Sequence, residues 1–257
     1  MTRVAYLGPA GTFTEEAALR FGIEDAQYVP VESPAAALAA LDAGEAEYAV
    51  CAIENSIDGA VTTTMDALAA TENARIVGEI ELAIAFAVMT RQGHTLSDAL
   101  RLATHPVAHQ QVKRWIAENA PKAEFIPAPS NAAAAKMVAD GAADVAVAPE
   151  RAAALHGLEV HARGVADAET ARTRFVLVAK RPALPEPTGN DRTAIVFRTK
   201  NEPGALVRVL QEFAARGVDM TRIESRPTRE EPNTYDFFVD LAGHVSDAAV
   251  SAALEAC

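Results

Sequence analysis

Two cysteines in 257 residues, Cys51 and Cys257, are too few and too far apart in sequence for a disulfide framework, so the chain is expected in a reducing, cytoplasmic setting. Aromatic residues are scarce, 5% of the chain with Trp115 as the single tryptophan, and an alanine-rich chain with few rings predicts closely packed helices. No apolar run approaches the length of a membrane span. Positive charge is in deficit: 23 Lys and Arg stand against 35 Asp and Glu, a net charge of −12. That balance argues against a nucleic-acid surface and against an anionic membrane. Met1-Thr2-Arg3 leads straight into an apolar run, which predicts no signal peptide. No spacing of His, Cys and carboxylates resembles a metal site. Cys51 lies in an apolar run and reads as inert core.

Half of the residues are apolar, enough for a sizeable core, and strand and helix signals alternate. Val4–Leu7 reads as a strand, Gly8–Thr12 as a Gly-rich turn and Phe13–Phe21 as a helix. That order aims backbone N–H groups at an anion; Thr12 and Glu15 also fit a plain capping box. Tyr28–Val31 reads as the next strand. Ser33-Pro34 opens a helix that Gly44 ends, and Tyr48–Ile53 is a buried parallel strand. At its far end Glu54-Asn55-Ser56-Ile57-Asp58-Gly59 and Val61–Asp66 gather a carboxylate, an amide and several hydroxyls. Open α/β sheets bind ligands at such carboxyl ends, while Ser56, Thr62 and Thr63 also suit caps and turns.

Arg75–Gly78 and Glu79–Met89 read as two strands, and Leu102–His105 as a short one followed by a helix through Gln110, Gln111 and Trp115. His105 reads as a hydrogen-bonded structural residue, with ligand contact or action as a base as the other readings; His109 and Gln110 fall on the helix surface. Glu124–Pro127 is a further strand. The stretch from Ser33 to Val50 is echoed from Ser130 to Val147 at a constant offset, which implies two similar α/β lobes with a cleft between them. After both comes Ala171-Arg172-Thr173-Arg174-Phe175, opening the buried run Val176–Ala179. An arginine beside a buried run needs a carboxylate partner or an anionic ligand, and these residues alone leave both open.

Residues 181–190 are Pro-rich and unpatterned, hence a linker. Beyond them Thr193–Arg198 is a strand, Glu202-Pro203-Gly204 a turn and Leu206–Ala215 an amphipathic helix. Strands Met220–Pro227 and Tyr235–Leu241 flank the charged turn Thr228–Asn233, and Ser246 caps a second helix. This βαββα order is one strand short of a split βαβ unit. Because the sequence stops at Cys257 inside that helix, the native chain is expected to continue, or its tail to be lost or disordered.

Four motifs, in this order and spacing, resemble those of the monofunctional bacterial prephenate dehydratases. They are Gly8-Pro9-Ala10-Gly11-Thr12-Phe13-Thr14; Ile53-Glu54-Asn55-Ser56 with Gly59; His105-Pro106 with Ala108 and Gln111; and Thr173-Arg174-Phe175. Asn201-Glu202-Pro203-Gly204-Ala205-Leu206 and Glu224-Ser225-Arg226-Pro227 resemble an ACT domain. Ala52 departs from the family, where proline usually precedes the Ile-Glu-Asn, but removes no functional group. The chain begins directly with the catalytic lobe, so no fused chorismate mutase bundle is expected.

The resemblance implies an α/β catalytic domain over 1–180, two-lobed like type II periplasmic binding proteins. A linker over 181–190 and a ferredoxin-like βαββαβ ACT domain over 191–257, its last strand missing, would follow. It implies a hydro-lyase that converts prephenate to phenylpyruvate by decarboxylating dehydration, in phenylalanine biosynthesis, without cofactor or metal. Phenylalanine would bind at ACT–ACT interfaces of a homodimer or homotetramer and regulate activity, usually by inhibition. Thr173 would donate a hydrogen bond to the departing hydroxyl and Arg174 would bind one carboxylate. The N–H groups near Thr12, with Asn55 and Ser56, would hold the other; Glu54 belongs to the same substrate set. Phe175 would wall the ring or simply pack in the core. Asn201, Gly204, Ala205, Leu206, Glu224, Ser225 and Arg226 would line the phenylalanine site. Two rivals stand beside this reading: arogenate dehydratase, with an amino group replacing the keto group, and a non-catalytic amino-acid or anion sensor, which would have no need of a leaving-group donor at Thr173.

Overall fold

In the computed structural model, which describes all residues except 72, 168–170, 181–183 and 229–232, one strand order occurs twice before residue 181. The first lobe comprises β1 (Thr2–Leu7), α1 (Phe13–Arg20), β2 (Ala26–Val31), α2 (Pro34–Ala43), β3 (Tyr48–Asn55), β4 (Gly59–Ala60), α3 (Thr62–Ala69) and β5 (Ala74–Ala83). The chain then crosses to β6 (Ala87–Thr90), β7 (Arg101–Thr104), α4 (Pro106–Gln111), α5 (Lys113–Asn119), β8 (Glu124–Pro127), α6 (Asn131–Ala139), β9 (Val145–Ala148), α7 (Glu150–His156) and β10 (Glu159–Arg163). It returns as β11 (Arg172–Lys180), which enters the first sheet between β3 and β5.

The sheets run β2–β1–β3–β11–β5 and β8–β7–β9–β6–β10. In each, the first three strands are parallel, the fourth runs against them and the fifth, paired antiparallel to the fourth, runs with them again. The echo in sequence therefore reaches individual hydrogen bonds. Ser33 and Ser130 each accept from the N–H three residues on, at 3.0 Å in both cases. Glu47 N–H donates to Arg3 O and Asp144 N–H to Arg101 O. The same two carboxylates accept from Arg3 N–H at 2.6 Å and Arg101 N–H at 2.9 Å. Short polar caps satisfy donors that a helix end leaves open, and identical caps start the equivalent helices of both lobes. The two crossing segments bond to each other through Ile84 N–H to Ala171 O and Val165 N–H to Phe86 O, and one apolar cluster, from Val4 and Tyr6 to Val145 and Val147, spans both lobes.

Several expectations need correction. β5 is one continuous strand, and the break before β6 falls at Ile84–Phe86, where the chain changes lobes. The helix after His105 is interrupted at Val112, whose φ of −131° and ψ of 16° are not helical. α7 and β10 have no counterpart among the expected elements, since both are short and weakly patterned.

The chain divides into two compact units, Met1–Pro182 and Ala183–Cys257. The second contains β12 (Arg192–Arg198), α8 (Ala205–Ala215), β13 (Met220–Pro227), β14 (Tyr235–Ala242) and α9 (Ala248–Ala256), with sheet order β12–β14–β13, all antiparallel. Phe213, Val218, Val239, Leu241 and Val250 form its core. Ser246 does not cap α9: Asp247 is the N-cap residue, and Ser246 Oγ lies 2.6 Å from His244 Nδ1 instead. The expected linker and charged turn fall partly on 181–183 and 229–232, outside the described residues. No helix among the described residues is long and apolar enough to cross a membrane.

Candidate active site

The carboxyl end of β3 bends sharply because Asn55 closes an Asx turn: its Oδ1 accepts from Ile57 N–H at 2.9 Å and Asp58 N–H at 3.1 Å. Those two bonds settle which end of the amide is oxygen. Asn55 Nδ2 is therefore the donor to Thr173 Oγ1, 3.0 Å away on the paired strand β11. Ser56 locks the turn to the same strand in both directions, accepting from Arg172 N–H at 2.9 Å through Oγ and donating its own N–H to Arg172 O at 2.9 Å. Residues 118 apart in sequence are thus brought together, with Thr173 7% exposed. Thr173 accepts from Asn55, and among the described residues nothing accepts its hydroxyl proton.

Arg174 faces away from Thr173. Successive residues of a strand face opposite sides, so it leaves the side that Thr173 faces. Its side chain is 8% exposed and lies 3.5 Å from Glu54 and 3.3 Å from Glu79. Of the two readings left open for Arg174, the carboxylate partner is present, with a buried guanidinium set against the half-exposed Glu54 and Glu79. Phe175 takes the core reading of its two: at 1% exposure the ring lies in the apolar cluster that spans the lobes.

The Gly8–Thr12 turn presents α1. Thr12 Oγ1 accepts from Glu15 N–H at 3.3 Å and donates to Leu7 O at 3.4 Å, so its hydroxyl is spent on the cap. The capping box is half made, because the Glu15 carboxylate does not return to Thr12. It accepts from Gly11 N–H at 2.8 Å, from Arg151 Nε at 2.7 Å and from Tyr6 Oη at 3.2 Å. Burial pushes Glu15 towards protonation, but the Arg151 hydrogen bond, the Gly11 amide and Tyr6 outweigh it and hold the carboxyl below its usual range. Burial, and then the Glu15 charge, pushes the Tyr6 hydroxyl well above its usual range.

From the second lobe, His105 caps α4, its Nδ1 accepting from Val107 N–H at 3.3 Å. His109 is half-buried and stacks on Phe125 at 3.9 Å; burial and then Lys113 lower its pKa. Gln111, on the helix that follows His105-Pro106, reaches across to the Asx turn. Its Nε2 donates to Asp58 Oδ2 at 3.4 Å, while Oε1 is buried and without a partner. An unpaired buried acceptor is costly, and the one signal for it in the sequence was its place after His105-Pro106. Among the described residues no group of His, Cys, Asp and Glu is arranged to hold a metal ion.

In the second unit, Gly204 is the N-cap of α8 with φ of +81°, a conformation that favours glycine. Ala205 and Leu206 form the first turn of α8, Asn201 lies in the turn before it, and Glu224, Ser225 and Arg226 lie on β13.

Two family models match the chain: prephenate dehydratase over residues 4–183 and ACT domain over 193–257. A prephenate dehydratase of Corynebacterium glutamicum is 53% identical over 99% of this chain and 83% of its own length. One from Mycobacterium tuberculosis is 50% identical over 100% of this chain and 83% of its own. Among solved structures, prephenate dehydratase of Arthrobacter aurescens in complex with L-Phe superposes with a TM-score of 0.93, at 40% identity over 99% of this chain and 85% of that one. GqqA, described as a novel type of quorum quenching acylase, superposes with a TM-score of 0.89, at 36% identity over 98% and 92%.

Proposed function

The chain belongs to the prephenate dehydratase family, and we propose that the Asn55–Thr173 pair is where its reaction takes place. The reaction is the decarboxylating dehydration of prephenate to phenylpyruvate, regulated by phenylalanine through the ACT unit. The C–C pair of the departing carboxylate flows into the ring, the C–O bond breaks, and hydroxide leaves with its bonding pair and takes up a proton to become water. Aromatisation drives the step, so the protein supplies no electron sink. It needs a donor for the departing oxygen and an enclosed seat for two anionic groups.

The observation that carries this reading is the direction of one hydrogen bond. Asn55 occupies an acceptor site of Thr173 Oγ1, so the hydroxyl proton is left for the substrate oxygen. A bare threonine hydroxyl is too weak an acid to give its proton away, but a donor fixed at the developing charge stabilises the transition state. Gln111 Oε1, buried and unpaired, suits the hydrogen of the same ring hydroxyl. With Arg174 committed to Glu54 and Glu79, short-range neutral donors would seat the carboxylates: the first-turn N–H groups of α1 next to Thr12, and the Asn55–Ser56 turn. Arg174 then acts on the site through strands β3 and β5 rather than on the substrate. Acyl transfer, named for GqqA, calls for a nucleophile beside a base that removes its proton. No such base accepts from Thr173 among the described residues.

For the second unit we read a phenylalanine site around Asn201, Gly204–Leu206 and Glu224–Arg226, formed with a second copy in a dimer or tetramer. The exposed Val196, Val207 and Ile223 support pairing of this unit. Cytoplasmic residence fits the two free thiols. The deciding assay supplies the purified chain with prephenate and then with arogenate, each with and without phenylalanine, scoring phenylpyruvate and phenylalanine formed and the oligomer size. Phenylpyruvate from prephenate, with activity or size responding to phenylalanine, is expected. Turnover of arogenate alone would overturn the substrate, and no response to phenylalanine would overturn the effector site.

A further inference from the structure

Glu15 takes no part in the reaction just described, yet its carboxylate accepts from three donors, Tyr6, Gly11 and Arg151. Its side chain is 10% exposed, and one of its three donors, Arg151 on α7, comes from the other lobe. The same helix lies against the Gly-rich turn: a Cβ placed on Gly11 would come within 3.2 Å of Leu155 Cδ1 and 3.3 Å of Ala152. Charge and shape therefore join the same two elements. We propose that Glu15 and Arg151 form a latch between the lobes, which docks α7 on the Gly8–Thr12 turn and sets the population of the closed cleft that receives prephenate. Arg151 is a positioning residue in this proposal, which rests on the cleft being the substrate site.

The physics gives the latch two effects. Opening the lobes would strip the guanidinium from a largely buried carboxylate, which is unfavourable. It would also leave an uncompensated negative charge in the first turn of α1, where a dianionic substrate has to dock. Affinity scales with the fraction of molecules already closed, so losing the latch weakens binding without touching the departing oxygen. Arg151 is 40% exposed, which keeps the effect modest.

The test uses the full chain with prephenate, together with hydrogen exchange in the absence of substrate. Arg151→Gln is expected to raise KM about two- to fivefold while kcat changes far less, and Arg151→Lys to recover most of the loss. In a cycle with Glu15→Gln, the double variant should be no worse than Glu15→Gln alone. Exchange should quicken in residues 8–12 and 150–156 of Arg151→Gln, with an unchanged thermal midpoint for the second unit. An unaltered KM, a fall in kcat at constant KM, additive effects in the cycle, or unchanged exchange in both segments would each overturn the latch. Its failure is told apart from failure of the active-site reading, because the parent chain then remains active and Thr173 variants still lose turnover.

Discussion

Replacing Asn55 by aspartate should reverse a single hydrogen bond while leaving the turn intact. The carboxylate still accepts from Ile57 N–H and Asp58 N–H, which lie 2.9 and 3.1 Å from Oδ1 in the parent. Its other oxygen, however, is an acceptor only. Thr173, 3.0 Å away, must then turn its proton towards residue 55, and the substrate oxygen loses its donor. Loss of one such donor costs about 10²–10³ in turnover, or about 2.7–4 kcal/mol of transition-state stabilisation. Asn55→Asp should therefore approach Thr173→Val in kcat, although it keeps the threonine. The two differ in stability: valine strands the Asn55 amide without an acceptor, at about 1–3 kcal/mol, whereas aspartate strands nothing. Thr173→Ser keeps the hydroxyl and should retain most of the turnover. The assay is phenylpyruvate formation at saturating prephenate, beside urea unfolding. An Asn55→Asp enzyme within about threefold of the parent kcat, with Thr173→Val down by about 10², would show that the bond's direction is irrelevant and would refute the reasoning.

Gly11→Ala forces a side chain into a backbone at φ of +87° and against Ala152 and Leu155, so it should destabilise the first unit by about 1 kcal/mol or more, read as a lower urea midpoint. Glu15 is held below the ordinary carboxylate range; its stabilisation is present above the unfolded value of about 4.3 and is lost as pH falls through the lower folded value. Glu15→Gln should accordingly lower stability at neutral pH and flatten the acid dependence below about pH 4.3, measured as urea midpoints at several pH values. Burial pushes the Cys51 thiol up to about 12, whereas Cys257 is exposed. A thiol reagent should thus label one cysteine in the native chain and the second only on unfolding.

Much of the fold is local chemistry and could be read from the chain. Ser33 and Ser130 cap helices by the same bond in both lobes because a hydroxyl three residues ahead of a free N–H satisfies a donor that the helix end leaves open. The apolar runs of β3 and β11 are buried as their composition requires. Boundaries failed where the deciding contact was distant. The break between β5 and β6 exists because the chain must change lobes there, and the run Glu79–Met89 carries no mark of it. Ser246 has the right chemistry for a cap, but His244 engages it first.

The sequence by itself determined most of the strand and helix order, the duplicated lobe, and the candidate side chains, Asn55 and Thr173 among them, because periodicity, caps and motif spacing act over a few residues. Only the tertiary structure decided what those side chains touch. Strand alternation and the pairing of β11 with β3 and β5 turned Arg174 to Glu54 and Glu79, and left Thr173 with its proton free. Contacts across 118 and 136 residues oriented Asn55 towards Thr173 and joined Glu15 to Arg151. Such pairings depend on how sheets and lobes pack, and no short-range pattern encodes that.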